Sequence, residues 1–180
     1  MSETETQDPE APEPETAEVE PETRYGVLVT RSCGQDVLHP TRDQLVDLVR
    51  DLRDDEDFRM CVDLTAVDYL AYESPRELPE GVNPERFEVI IGLLSMGTKQ
   101  RLRLRVQVPA DDATCPSLFD VHPGVEALER EVFDMFGIAF DDHPDLSRIL
   151  MPEDWEGHPL RKDYPVGAIP VQFKGVADAR

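Results

Sequence analysis

Apolar and polar positions alternate with a period of two in the middle of this chain. From Lys99 to Val108 arginine or glutamine separates apolar residues, which predicts a strand with one face buried. The preceding run, Phe87 to Met96, is largely apolar, and Gly97-Thr98 between the two runs favours a turn. The two runs therefore predict a β-hairpin around a central strand. The residues predicted to point inward on the second strand are Leu102, Leu104, Val106 and Val108.

Three further elements precede this hairpin. The segment Arg24–Thr30 is rich in β-favouring residues and predicts a first strand, with Gly34 just beyond it. After Thr41, a good N-cap residue, the apolar positions have helical spacing and predict an amphipathic helix. These positions are Leu45, Val46, Leu48, Val49 and Leu52. The run Phe58–Leu70 predicts another strand, on which continued alternation would place on one face Met60, Val62, Leu64 and Ala66.

A second helix is predicted from Pro123 to Phe136, with Gly137 ending it in the left-handed conformation. Its apolar stripe is Val125, Leu128, Val132 and Met135. Residues 73–85 collect three prolines and a glycine and predict a loop. The order of elements predicts an α+β fold for residues 23–137, with two helices packed on a mostly antiparallel sheet.

No regular period fits residues 138–180, where prolines recur every few residues. Large apolar side chains nevertheless persist there, namely Ile149, Leu150, Met151, Trp155, Leu160 and Tyr164. Such anchors on a proline-stiffened strip favour an extended segment that wraps around a partner protein. The alternative is that the strip wraps around its own domain.

Composition narrows the possible functions. Residues 1–22 hold nine acidic residues and no basic one, and this Pro-rich segment predicts a disordered tail. A net charge of −21 argues against nucleic-acid binding. No apolar run approaches the length of a membrane span, so we expect membrane contact only through a partner. Cys33, Cys61 and Cys115 are widely spaced, which argues against a zinc or iron–sulfur site and favours a reducing compartment.

The titratable residues near the C-terminus allow two chemical interpretations. His143 and His158, with Asp142, Asp145 and Glu156 nearby, form a conceivable metal cluster. Their spacing lacks the short ligand pairs typical of zinc, and hydrogen bonding of each histidine to backbone in a proline turn is the favoured alternative.

Carboxylates on the second predicted helix and arginines on the last predicted strand also need interpretation. Glu131 and Asp134 share a helix face, which suits acid–base work or, as we favour, ion pairs with Arg148, Arg161 or Lys162. The outward residues of the strand are a solvated sheet face or a docking face for an acidic partner. They are Arg101, Arg103, Arg105 and Gln107.

Residues 129–165 carry three motifs in order: EREVFDMFGI, HPDLSRIL and EGHPLRKDYP. In these motifs the chain resembles the family of C subunits of the proton-pumping NADH–quinone oxidoreductase, respiratory complex I. The segment VDLTAVDYL at residues 62–70 also resembles that family. The acidic N-terminus and the residues after Pro170 lie outside the family pattern.

The resemblance implies a scaffold subunit of the quinone-reducing module, with the D, B and I subunits as partners. It implies no catalytic, cofactor or metal residue in this chain, while FMN, iron–sulfur clusters and quinone belong to other subunits. It implies a peripheral place on the cytoplasmic side of the cell membrane. The residues expected at partner interfaces are Glu129, Arg130, Glu131, Asp134, His143, Pro144, Arg148, Trp155, Gly157, His158, Leu160, Arg161, Lys162, Asp163 and Tyr164. Two alternatives stay open, an equivalent subunit of a membrane-bound hydrogenase or related dehydrogenase, and a metal hydrolase using His143, His158 and Asp145.

Overall fold

The computed structural model describes residues 22–165 and residue 167, which form an α+β domain on one six-stranded sheet. Its strands are β1 (Thr23–Arg24), β2 (Val27–Ser32), β3 (Gln35–His39), β4 (Met60–Asp68), β5 (Phe87–Ser95) and β6 (Gln100–Val108). Its helices are α1 (Arg42–Asp55) and α2 (Glu126–Phe136), and a separate parallel pair is formed by β7 (Thr114–Pro116) and β8 (Ala139–Asp141). The sheet order is β1-β2-β3-β6-β5-β4. Every pairing in this sheet is antiparallel except that of β3 with β6.

The predicted hairpin is confirmed as β5 and β6, which pair from Phe87↔Val108 to Ser95↔Gln100. All four predicted inward residues of β6 are buried. They share one core with the buried residues of both helices, so a single apolar cluster lies between the inner sheet face and the helices.

The first predicted strand is a more complex element than the sequence indicated. Two tight turns, Tyr25-Gly26 and Cys33-Gly34, divide the segment into β1, β2 and β3. Both residues of each turn have φ between 52° and 73°, the conformation of two-residue hairpins that match strand twist. The sequence pattern did not predict β3, because this strand begins with two polar residues, Gln35 and Asp36. Its parallel pairing with β6 is possible because α1 and β4–β5 form the crossover between them.

The alternation predicted along β4 fails at its start, where Met60 and Val62 are 49% and 39% exposed. A β-bulge between Cys61 and Asp63 inserts one residue into the strand. Because side chains alternate with a period of two, one extra residue moves the preceding positions to the opposite face. Only Leu64 and Ala66 of the predicted set are buried.

Both predicted helices are confirmed, with Leu45, Leu48, Val49 and Leu52 buried on α1. A capping box joins Thr41 and Gln44 at its start. A short 3-10 turn, Pro123–Val125, leads into α2, and Gly137 ends the helix at φ 70°. Val125, Val132 and Met135 of the predicted stripe are buried, and Leu128 packs against them while half-buried.

The predicted loop, residues 73–85, contains no helix or strand and folds over the outer sheet face. Arg76 lies 4.1 Å above the Tyr69 ring and approaches Glu88, whose fully buried carboxylate binds Arg105 and Gln107. The solvated-face interpretation is therefore wrong for Arg105. The predicted disordered tail, residues 1–22, lies outside the described residues except for Glu22. The predicted extended strip, residues 138–180, is described only as far as Pro165 and at Gly167.

Candidate functional site

The last described segment of the chain, residues 148–164 (the anchored segment), is bound to α2 through one fully buried carboxylate, that of Asp134. Its Oδ2 accepts three successive backbone N–H groups, those of residues 149–151, at 2.8–3.1 Å. Its Oδ1 accepts Arg148 Nη1 at 2.5 Å. Burial disfavours the charged form, but these donors outweigh it and hold the pKa of Asp134 below its ordinary value. Asp134 thus fixes the path of residues 148–151 as an ionised group.

The same segment closes the C-terminal end of α2, where the last helix carbonyls lack partners within the helix. Four successive carbonyls, Asp134 to Gly137, accept hydrogen bonds from it. The donors are His158 Nδ1 at 3.0 Å, the N–H of Leu160 at 3.0 Å and the Arg161 guanidinium, which serves the last two carbonyls. Burial lowers the pKa of His158, so a neutral imidazole donates this bond. The cation of Arg161 also suits the negative end of the helix dipole.

A second buried carboxylate, Asp68 at the end of β4, anchors the segment to the sheet. Arg86 binds its two oxygens at 3.1 and 2.9 Å, and the N–H of Lys162 donates to Oδ2 at 2.9 Å. Burial opposes the charge of Asp68, but these bonds hold its pKa below the ordinary value. Arg86 also pairs with Asp163 at 2.8 Å and lowers the pKa of that carboxyl. The segment is therefore held at two points, α2 and the sheet.

Glu129 and Arg130 tie two neighbouring loops to α2. Glu129 is fully buried and accepts the hydroxyl of Ser117 at 2.6 Å and the N–H of Leu118 at 2.8 Å. Burial raises its pKa despite these bonds. Arg130 donates to the carbonyls of Ser147 and Arg148 at 3.1 Å each. The first predicted motif therefore positions the chain on both sides of the helix.

His143 and His158 lie in separate hydrogen-bonded turns. His143 Nε2 lies 3.1 Å from the carbonyl of Glu126, and its Nδ1 accepts the N–H of Asp145 at 3.1 Å across exposed Pro144. The interpretation that each histidine bonds to backbone is confirmed. Within the described residues, no three His, Cys, Asp or Glu side chains are grouped so as to hold a metal ion.

The paired carboxylate suggested by Glu131 and Asp134 does not form. Asp134 is fully buried whereas Glu131 is exposed to solvent, so the two have different surroundings. Of the three bases considered as ion-pair partners, Arg148 binds Asp134. Arg161 instead caps the helix, and Lys162 contributes its backbone N–H.

The outer side of the anchored segment is an apolar groove of about 610 Å³. Its lining includes Met151, Trp155, Leu160 and Tyr164, and Leu160 is 48% exposed. Ile149 and Leu150, also on this segment, are 41% and 55% exposed. Gly157 leaves room for the Tyr164 ring, since a Cβ at position 157 would lie 2.7 Å from Tyr164 Cε2. The segment is thus rigidly held from within while it keeps large apolar side chains on its surface.

Two residues essential to this arrangement, Asp68 and Arg86, were absent from the sequence prediction. One signal for Asp68 was available, because it follows Leu64 and Ala66 on the buried face of a predicted strand. An acid at such a position requires a buried partner. Arg86 carries no comparable signal, since it ends a proline-rich loop.

These features define an α+β domain that binds the segment following β8 and exposes an apolar groove on it. Comparison with known proteins agrees with the sequence motifs. Residues 38–169 match the family described as the 30 Kd subunit of respiratory-chain NADH dehydrogenase. The chain belongs to this family.

Individual relatives have the same assignment. The NADH-quinone oxidoreductase C subunit of Saccharopolyspora erythraea is 46% identical over 149 residues, 82% of this chain and 56% of that protein. The C subunit of Roseiflexus castenholzii is 47% identical over 138 residues, 76% of this chain and 73% of that protein. A solved trypsin-resistant fragment (1–134) of Nqo5 is 32% identical, with a TM-score of 0.59 over 67% of this chain and 90% of the fragment. The chain spans little more than half of the Saccharopolyspora relative.

Proposed function

We propose that this chain is the C subunit of a proton-translocating NADH–quinone oxidoreductase and serves as a scaffold of its quinone-reducing module. The complex passes electrons from NADH through FMN and iron–sulfur clusters to quinone. In this proposal the cofactors lie in other subunits, the D, B and I subunits are the neighbours, and the chain is peripheral on the cytoplasmic side of the membrane. The named relatives favour this assignment over a hydrogenase-type subunit.

The observation that carries the proposal is the anchored segment, with an apolar groove that no residue described by the structure covers. Ordering a segment costs conformational entropy, and here buried ion pairs and helix carbonyls fix it. Apolar side chains held at the surface in this way resemble the anchor residues of protein interfaces.

The described helices and histidines give two further observations. None of the helices between residues 22 and 167 has the length and apolar character that crossing a bilayer requires. The described residues offer backbone-bonded histidines rather than a metal cage, which leaves the hydrolase alternative without support.

The decisive experiment replaces one exposed groove leucine in the native host. Leu160→Asp should reduce the amount of assembled NADH–quinone oxidoreductase several-fold on a native gel, because truncating an interface anchor often costs about 2 kcal/mol or more. The control is Leu70→Asp, a leucine of similar exposure (54% against 48%) outside the segment. NADH–quinone reductase activity per assembled complex should be unchanged in both variants. Normal assembly with lost turnover in Leu160→Asp would contradict the scaffold role.

A further inference from the structure

The anchored segment adds almost nothing to the apolar core. Every fully buried apolar residue that the structure describes lies between Val27 and Phe140. All residues from 148 to 164 are exposed or half-buried, and among them Met151 packs against the core. The segment contains no helix and no strand. Its release from the domain would therefore leave the core packed.

Hydrogen bonds and charge pairs hold the segment instead. At the end of α2, Asp134 accepts the N–H of Leu150, and a helix carbonyl accepts the N–H of Leu160. At the sheet, Asp68 accepts the N–H of Lys162. Each of these bonds replaces a bond to water, so its net contribution to stability is modest. A segment held in this way can open while the core stays folded.

The two anchor points are too close in sequence to open separately. Leu160 binds α2 and Lys162 binds the sheet, and Arg161 alone lies between them. The Arg161 guanidinium lies 5.2 Å from the centre of the Phe87 ring, and Arg86 of the sheet anchor lies 4.7 Å from the same centre. Because each residue of chain spans at most about 3.6 Å, loss of one contact displaces the other.

The apolar groove depends on the position of the segment. Met151 and Arg161 line the groove and also contact the domain, Met151 at the core and Arg161 at a carbonyl of α2. The other lining residues also belong to the segment. When the segment leaves the domain, Met151 and Arg161 lose the contacts that fix them, and the groove loses its shape.

We propose that the anchored segment opens and closes as one cooperative unit on a folded domain, and that the apolar groove exists only in the closed state. A partner that binds the groove then selects the closed state and holds the segment closed. The use of the groove by a partner rests on the function proposed above, whereas the opening of the segment does not.

Hydrogen exchange of the full chain in low urea tests the opening, with the N–H groups of Leu150, Leu160 and Lys162 as reporters. The three should share one opening free energy and exchange about tenfold or more faster than the amides of β5, which lies between β6 and β4. Their exchange should depend weakly on urea, because the urea slope follows the surface that opening exposes. Exchange in β5 should depend steeply on urea, as global unfolding does.

Two results of this measurement would overturn the proposal. One is an equally steep urea dependence in the segment and in β5, since the segment would then open only when the whole domain unfolds. The other is a different opening free energy at Leu160 and at Lys162, which would mean that the two anchors open independently.

A variant on the segment tests the coupling of the anchors. Asp163→Asn removes the charge that pairs with Arg86 at 2.8 Å and leaves the rest of the domain unchanged. Because this pair is partly exposed, exchange at Lys162 should speed by about threefold, and exchange at Leu150, which binds α2, by the same factor. Asp154→Asn, also exposed on the segment, is the matched control and should change both by less than about 1.5-fold. An effect confined to Lys162 would contradict a cooperative unit.

The assembled complex separates this proposal from the proposed function. Peptide mass spectrometry after hydrogen exchange should show the segment exchanging about tenfold or more slowly in the purified complex than in the isolated chain, because binding to the closed state lowers the population of the open one. Equal exchange in the complex and in the isolated chain would contradict the partner role of the groove. The cooperative opening is judged on the isolated chain alone.

Discussion

At the scale of single residues, the anchored segment depends on Asp134, which gathers four donors from residues 148–151. Asp134→Asn keeps the size of the side chain but removes the charge and turns one acceptor into a donor. We expect the free energy of unfolding to fall by about 3 kcal/mol, as for other broken buried ion pairs. Urea unfolding measures this change. Glu131→Gln, at an exposed position on the same helix, is the control and should change it by less than about 0.5 kcal/mol.

The difference between wild type and Asp134→Asn should depend on pH. The pKa of Asp134 is lower in the folded than in the unfolded protein, so the folded state binds fewer protons at pH values between the two pKa values. The contribution of Asp134 to the free energy of unfolding is therefore complete above the ordinary pKa of an aspartate. It is lost as pH falls through the folded pKa. Urea unfolding should show a large difference in the free energy of unfolding between wild type and Asp134→Asn at pH 7. The difference should be smaller below pH 4. A difference that stayed constant would mean that the charge is unimportant.

Gly137 is the second residue on which the segment depends, for steric reasons. Its φ is +70°, and a Cβ would lie 2.5 Å from His158 Nε2 and 2.7 Å from Arg161 Nη2. Gly137→Ala should lower the free energy of unfolding by about 2 kcal/mol, since the left-handed conformation alone costs about 1–2 kcal/mol with a side chain. Thermal unfolding compares it with Gly124→Ala, where an added Cβ meets nothing within 4 Å. Equal effects would show that the segment does not constrain position 137.

At the scale of elements, the segment completes α2 rather than merely lying beside it. Arg161 serves two helix carbonyls and lies 5.2 Å from the centre of the Phe87 ring. Arg161→Ala should therefore loosen the segment locally and speed amide hydrogen exchange at Leu160 by about tenfold or more. That factor corresponds to about 1.4 kcal/mol, near the lower end for hydrogen bonds from charged groups.

Lys162→Ala is the matched control for this element. The Lys162 side chain is exposed, and only its backbone N–H binds Asp68, so exchange at Leu160 should stay within about twofold of wild type. Exchange that rises equally in both variants would show that the guanidinium does not hold the segment.

At the scale of the whole molecule, the buried charges serve structure, and we expect no cofactor in the isolated chain. Cys115 is fully buried, and burial raises the pKa of Cys61 to about 11, which disfavours the thiolates that metals bind. Metal analysis and the visible spectrum of the dialysed full chain should show less than about 0.1 equivalent of iron, zinc or flavin. One equivalent of any of them would contradict the scaffold proposal. Bovine serum albumin treated in parallel controls for carry-over.

Much of the fold could be predicted from local patterns, and the failures have identifiable causes. The hairpin β5–β6 and both helices follow from periods of two and 3.6, because burial on one face is a local requirement. The bulge in β4 has no such signature, since one inserted residue leaves composition unchanged. β3 was missed because its burial comes from neighbours β2 and β6 rather than from its own alternation.

Part of the candidate site could be predicted: the sequence indicated Asp134 with Arg148 as one possible partner, but neither Asp68 nor Arg86. The motifs around Asp134, Arg148 and Arg161 stand out in sequence, yet their partnership depends on the chain turning back over the end of α2. The partner-interface role of these residues remains a prediction, whereas the structure gives each an additional contact within the chain.

The family, the fold class and the lack of a long apolar run follow from motif order, hydrophobic periodicity and composition, which are properties of neighbouring positions in the chain. The pairing of distant charges depends instead on the folded chain. Asp68 and Lys162 are 94 positions apart, yet they share a hydrogen bond of 2.9 Å. Such a pairing follows from how strands and helices pack in three dimensions, and no local pattern encodes it.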